Sequence, residues 1–253
     1  METIELKKSG DLAHLILRRP PLNYLNIELL RAFQAGIESL GEAPECRALI
    51  VESDGKAFSA GLDVAEQTRE NMFLLLEQFH FVARALIVFP RPTIAVVQGM
   101  ALGAGNELAA CCDFIFASET ASFGQPEVKF GSIPSLAPLV LPPLIGGRQT
   151  LELILTGDFM SAKEAQRIGL VYAVSPDEQL QESVEALVSK FRRLSLPVCQ
   201  LALQSARSFR ARALEANLRD AENLYLDQLM DLEDNAEGAK AFLEKRTPKW
   251  QNR

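Results

Sequence analysis

Histidine is scarce in this chain, with two in 253 residues, His14 and His80. Neither stands at metal-ligand spacing from other candidate ligands, which argues against a zinc site, and their isolation argues against a histidine-centred triad. Cysteine is also sparse: Cys46, Cys111, Cys112 and Cys199 show no C-x-x-C spacing, and the adjacent pair suits a packed helix face rather than a disulfide framework. Long apolar runs are missing. The most apolar region, 79–108, is broken by His80, Arg84, Pro90, Arg91 and Pro92, too soon to span a bilayer. Basic charge is not in excess, since 26 Lys and Arg face 33 Asp and Glu for a net charge of −7, so nothing attracts nucleic acid or an anionic membrane in general. The first ten residues lack the apolar stretch and small-residue cleavage site of a secretory leader. The expectation is a cytoplasmic protein with neither nucleic acid nor membrane as partner.

What remains is an ordinary globular composition, 48% apolar and 23% charged, long enough for a sizeable core. Residues 3–8 and 12–18 around Ser9-Gly10 read as a β-hairpin. Asn26 is a fair cap for a helix whose Leu29, Leu30, Phe33, Ile37 and Leu40 recur at helical spacing. A short strand over 46–51 ends in the turn signal Ser53-Asp54-Gly55. A helix is expected over 72–88, stopped by Pro90 and Pro92, with strands following at 93–97 and 113–117. Strands alternating with helices argue an α/β fold. From about Leu136 the pattern turns almost wholly helical, with helices expected at 147–156, 161–168, 178–193, 197–213 and about 215–243. The division expected is an α/β core over 1–195 and a helical region over 196–253.

The chemistry concentrates in ALGAGNELAACCDFIF, 101–116, and FGQPEVKFG, 123–131. Gly103 and Gly105 bracket Ala104 where a strand enters a helix, so Glu107 is a carboxylate on a first helical turn among apolar neighbours. Twenty residues on, Glu127 follows Gly124-Gln125-Pro126, where the proline stops regular pairing. The first amides of a helix lack intrahelical acceptors, and the dipole leaves partial positive charge there. Two acids beside free amides make a reaction centre. The plain alternative is two solvated surface glutamates, which their apolar flanks disfavour.

The segments RRPPLN, KAFSAGLD, ALGAGNELA, CDFIFAS, FGQPEVKFG, LILTGDFMSAKEAQRIGLV and FLEKRTPKW, in that order, resemble the crotonase superfamily of enoyl-CoA hydratases and isomerases, from about residue 4 to the C-terminus. The resemblance implies a spiral of repeated strand-strand-helix units with a helical C-terminal region that supports a homotrimer or homohexamer. It implies an acyl-CoA thioester as substrate, CoA being part of that substrate, with no separate cofactor and no metal. Glu107 and Glu127 match the catalytic glutamates, holding one water between them. The oxyanion-hole amides fall on Ala60 and Ala104, where they would meet an enolate-like oxygen; one such donor is typically worth about 3–4 kcal/mol. Along the bound thioester the resemblance places Asn23, Leu25, Leu62 and Val64, with Gly103, Pro126 and Pro134 beside the reacting end. Asp63 caps the helix that follows, and Lys56, Arg19, Lys245 or Lys249 could meet CoA phosphates.

Where straight-chain hydratases carry a glycine-rich IPGAGGTQRL, this chain has GSIPSLAPLVLPPLIG. Leu136, Pro138 and Leu139 are therefore expected to wall the acyl pocket. With PPLN at the start, the segment looks more like hydratases of cyclic dienoyl-CoA thioesters in anaerobic aromatic degradation. The function expected is a lyase that adds or removes water at a double bond conjugated to a CoA thioester. The alternatives are a double-bond isomerase on the same scaffold and, from another class, a non-catalytic or RNA-binding scaffold, which the carboxylate pair and the acidic charge oppose.

Overall fold

The computed structural model describes residues 3–40 and 46–253; Met1 and Glu2, at the start of the stretch read for a leader, lie outside them. Strands β1 (Ile4–Ser9) and β2 (Leu12–Leu17) form the expected hairpin, in register Ile4 to Leu17. Then β2 pairs in parallel with β3 (Ala48–Ser53), β3 with β5 (Thr93–Val97), β5 with β7 (Phe114–Ser118) and β7 with β10 (Ala173–Ser175). A smaller sheet orders β4 (Ala57–Ser59), β6 (Met100–Leu102), β8 (Ser122–Gly124) and β9 (Phe159–Ser161). The chain thus takes repeated strand-strand-helix steps. After β3 in the large sheet and β4 in the small one comes α2 (Met72–Val88); after β5 and β6 comes α3 (Ala104–Cys111).

Both faces of the large sheet are covered. Leu49, Val51, Ala95 and Val97 join the main core under α1 (Ile27–Leu40) and α2. Their alternate neighbours Ala48, Ile50, Ile94 and Val96 pack instead with Phe116 against Leu180, Val184, Leu187 and Val188 of α8 (Leu180–Arg192). This two-sided burial is why β5 carries no charge at all. Asn26 Oδ1 accepts from Leu29 N–H at 3.0 Å, and the five apolar residues of α1 named from the sequence are its buried face.

After residue 136 the structure departs from the expected pattern. The stretch includes β9 and β10, each three residues, too short for a period to show. The expected break near residue 214 is absent: α9 (Leu196–Asn223) runs through it, because Leu214 is buried in a continuous helical pattern that nothing interrupts. The helix ends in a π-helical turn, Leu224–Gln228, then a 3₁₀ turn, before α10 (Glu233–Leu243). Leu214, Leu218, Tyr225 and Leu229 belong to the same core as the N-terminal strands, so the helical region packs as part of one body. Among the described residues no helix is long and apolar enough to cross a membrane.

Candidate active site

The site forms where the loops after β4 and β6 meet. Gly61 has φ +101°, and a Cβ there would stand 3.2 Å from Leu102 O and 3.6 Å from Ala104 N. Gly103, at φ +53°, has Glu127 Oε1 2.6 Å from where its Cβ would be. Both positions thus combine a left-handed backbone with a close approach that a side chain would block.

These loops settle which amides are available, and they correct one expectation. The Ala60 N–H donates to Leu22 O at 2.9 Å, so it is spent on the scaffold. One bridge further on, Leu25 N–H donates to Gly61 O (2.8 Å) and Leu25 O accepts from Asp63 N–H (2.9 Å). Leu62, between those two contacts, directs its own N–H to the other side of the chain. Among the described residues neither the Leu62 N–H nor that of Ala104, the first residue of α3, meets an acceptor. The pair of free amides is therefore Leu62 and Ala104, not Ala60 and Ala104.

Glu107 is 1% exposed, and its Oε1 accepts from the amides of Leu136 (2.8 Å) and Ala137 (2.5 Å). Those amides open the short helix α4 (Ala137–Val140), an end that favours negative charge. Burial lifts the Glu107 carboxyl above its ordinary range, and the two amides pull it back. Glu127 heads a 3₁₀ turn entered from Pro126. Burial, and then the charge of Glu107, push it well above the usual carboxylate range. With its amide turned so that the oxygen accepts from Asn106 Nδ2 (3.2 Å), Gln125 donates to both Glu127 oxygens at 3.1 and 3.2 Å.

Both glutamates line one cavity of ≈ 200 Å³, together with Ala60, Leu62, Val64, Gly103, Ala104, Pro126 and Pro134. Four other expected residues lie elsewhere. Asn23 is buried at φ +49° and donates to Asp54 O and Ala57 O, tying loops together. Leu25 is wholly buried and acts through its backbone, as above. Lys56 is exposed away from the cavity. Asp63 caps a 3₁₀ turn rather than a helix, and binds Arg19 at 2.6 Å, which occupies that guanidinium. The expected wall is also elsewhere: Leu136 is in the core, Pro138 is exposed, and Leu139 packs on the core. The chain turns helical at Ala137, so its apolar side chains swing away. Apolar residues that do line the cavity include Phe130, Ile133, Met72, Met100 and Phe159.

Two features had no local signal in the sequence. Tyr225, from the π-helical turn, reaches the cavity, where its hydroxyl lies 2.8 Å from Ser132 Oγ. Burial first, then Glu127 and Glu107, raise its pKa to about 12, so it stays a neutral hydroxyl. His80 is not isolated. Its Nδ1 lies 2.7 Å from Glu222 Oε1 and its Nε2 3.1 Å from Ser135 Oγ, partners 142 and 55 residues away in sequence. His80, read from the sequence as isolated, thus joins a serine and an acid through hydrogen bonds.

Two strand-strand-helix loops bare a pair of amides over two buried glutamates, and the chain belongs to the enoyl-CoA hydratase/isomerase family, whose model matches residues 7–253. Within that family it is an enzyme of the hydratase type. It is 32% identical over 248 residues to the cyclohexa-1,5-dienecarbonyl-CoA hydratase of Thauera aromatica, covering 98% of this chain and 96% of that protein. It is 36% identical to a Rhizobium meliloti protein described as "Probable enoyl-CoA hydratase", covering 100% and 99% of the two. The enoyl-CoA hydratase of Bacillus anthracis superposes with a TM-score of 0.79 at 30% identity, over 99% and 100% of the chains. That of Mycobacterium avium subsp. paratuberculosis matches in fold, with a TM-score of 0.88 at 24% identity over 99% of each chain.

Proposed function

We propose that this chain hydrates, or in reverse dehydrates, a conjugated cyclic dienoyl-CoA thioester, with Glu107 and Glu127 gripping one water and the Leu62 and Ala104 amides taking the thioester oxygen. The observation that carries this is two mutually interacting buried carboxylates in one small cavity with two amides that have no acceptor. Addition of water to the double bond drives charge onto the thioester oxygen, and preorganised amides stabilise that charge without reorganising. The two acids differ in surroundings. Glu107 keeps two amide donors, which favour its anion, whereas Glu127 feels burial and its neighbour's charge. Glu107 is then the base that takes the proton of the attacking water, and Glu127, protonated beside it, donates a hydrogen bond to that water or, where addition ends at the α-carbon, gives its proton there.

The cyclic preference is supported by the named Thauera relative and by the cavity's size and apolar walls, since a planar ring loses little conformational freedom on binding. No lysine or arginine lines the cavity among the described residues, so CoA phosphates would rest outside it, where Lys56, Lys245 and Lys249 are exposed.

The test is turnover of cyclohexa-1,5-diene-1-carbonyl-CoA against crotonyl-CoA in oxygen-18 water. Label should enter the product, the diene should have the higher kcat/KM, and Glu107→Gln and Glu127→Gln should each cost about 10²–10⁴-fold, far from additively. Faster crotonyl turnover would overturn the cyclic preference alone. Unlabelled product, with double-bond migration surviving Glu107→Gln, would replace the hydratase by an isomerase.

A further inference from the structure

His80 is fully buried on α2, and the reaction outlined above does not use it. A Glu222 carboxylate can only accept, so His80 Nδ1 carries the hydrogen directed at it across 2.7 Å. Nε2 is then the acceptor, and the Ser135 hydroxyl donates to it across 3.1 Å. Carboxylate to Nδ1 and hydroxyl to Nε2 is the order in which an acid orients an imidazole to take a serine's proton. The charged groups facing the ring are Glu222 and, from its own helix, Arg84, which is paired with Glu215 at 3.6 Å. Burial holds His80 below its ordinary pKa against the pull of Glu222, which keeps the imidazole neutral and able to accept.

The two ends of this chain differ. Glu222 keeps 26% of its side-chain surface exposed, whereas Ser135 is 4% exposed and lines the cavity. Ser135 immediately precedes Leu136 and Ala137, whose amides hold Glu107. It therefore stands on the carboxylate side of the cavity rather than between Leu62 and Ala104, where a nucleophile attacking the thioester carbonyl would be needed. Holding α2, α9 and the 132–136 loop together is one use of such a chain, but leucines would serve that purpose without burying polar atoms.

We propose that Ser135, with His80 as its proton acceptor and Glu222 orienting the imidazole, is a second proton-transfer site that acts on the γ-carbon of an α,β-unsaturated acyl thioester. This rests on the thioester placement given above. In the dehydrating direction the γ-proton passes to Ser135 Oγ as the serine's own hydrogen passes to His80 Nε2. The C–H electron pair becomes the new Cβ=Cγ bond, and the displaced electrons reach the thioester oxygen as a dienolate. The dienolate collapses and expels the hydroxyl on the other β-carbon, which leaves as water with a proton from the glutamate pair. The imidazolium returns its Nε2 proton to Ser135 Oγ as the proton taken from the γ-carbon passes through the water just formed to the glutamate pair, which restores the Nδ1–H tautomer and the glutamates' proton. The substrate has lost one water and the protein is unchanged. Hydration runs the same steps backwards.

The experiment is hydrogen exchange of cyclohex-1-ene-1-carbonyl-CoA in deuterium oxide, read at the γ-carbon by NMR and mass, beside hydration of the dienoyl thioester. The protein should place deuterium at the γ-carbon. Ser135→Ala and Glu222→Gln should each slow this at least about tenfold, the scale of a lost acid–base partner, and the diene-to-crotonyl ratio of kcat should fall with it. Glu222 is at the surface end, so its variant guards against a Ser135→Ala protein that fails to fold. Dienoyl hydration with no γ-deuterium would overturn the proposal, as would undiminished exchange in folded Ser135→Ala. Acylated Ser135 with release of free CoA would replace it with a nucleophilic role. Exchange without hydration would support the relay and remove the hydratase reading.

Discussion

Glu127 is a carboxylate whose neighbourhood opposes its charge, and that has a consequence for stability. Its folded pKa is raised by burial and by Glu107, so between the unfolded value and the folded one the unfolded chain has lost a proton that the native protein keeps. Such a group contributes its full share below the ordinary glutamate range, and that share is lost as pH rises through the folded value. Glu127→Gln removes the titration while keeping the shape. The variant should therefore melt close to the parent at pH 4 and measurably higher at pH 8, while its hydration collapses, a trade between stability and activity in one side chain. Equal melting temperatures at both pH values would show that Glu127 ionises freely in the native state.

Between β4 and the turn at Val64–Glu66, the four residues 60–63 alternate in what their backbones hold. Ala60 N–H is bound to Leu22, and Gly61 O and Asp63 N–H are bound to Leu25. Parity then leaves the Leu62 N–H facing the other way, close to the start of α3 through the gap that Gly61 keeps open. An amide-to-ester replacement tests this element without changing a side chain. At Leu62 it should lower kcat by about 10²–10³, the usual effect of losing one oxyanion donor. At Ala60 it should cost stability, about 0.5–1.5 kcal/mol for one backbone bond in a urea melt, with kcat little changed. The reverse pattern would return the oxyanion role to Ala60.

Seen whole, the molecule leaves apolar side chains uncovered on its helical third. Val198, Leu201 and Phe209 of α9 are 63%, 67% and 68% exposed, and Leu151 and Leu155 of α6 (Gly147–Thr156) are similarly bare. Between Leu201 and Phe209, Arg207 binds Asp113, the backbone carbonyl of Arg91 and that of Phe89, so the helix itself is fixed to the sheet. A fixed helix with an uncovered apolar side suits association of copies, and we expect a trimer or hexamer. Light scattering at micromolar concentration should report that mass for the parent, and a smaller one for Leu201→Glu with Phe209→Glu. A monomeric parent would remove the expectation.

The sequence by itself determined what repeats over short distances. Leu29 to Leu40 declare the buried face of α1, Pro90 and Pro92 stop α2, uncharged Thr93–Val97 declares a strand covered on both sides, and the glycines around Ala104 place Glu107 on a first helical turn. These follow from periods of two and 3.6 residues and from single-residue backbone limits, which need no knowledge of distant partners. Tertiary structure alone decided the rest. Leu62 rather than Ala60 offers a free amide because Leu22 and Leu25, some forty residues earlier, take the intervening groups. Leu136 left the pocket for the core because α4 begins one residue later. Tyr225 and Glu222 enter the account only because α9 continues past Leu214 and lies across α2. A hydrogen bond joining residues 80 and 222 leaves no local period behind, so His80 reads as isolated until the fold closes around it.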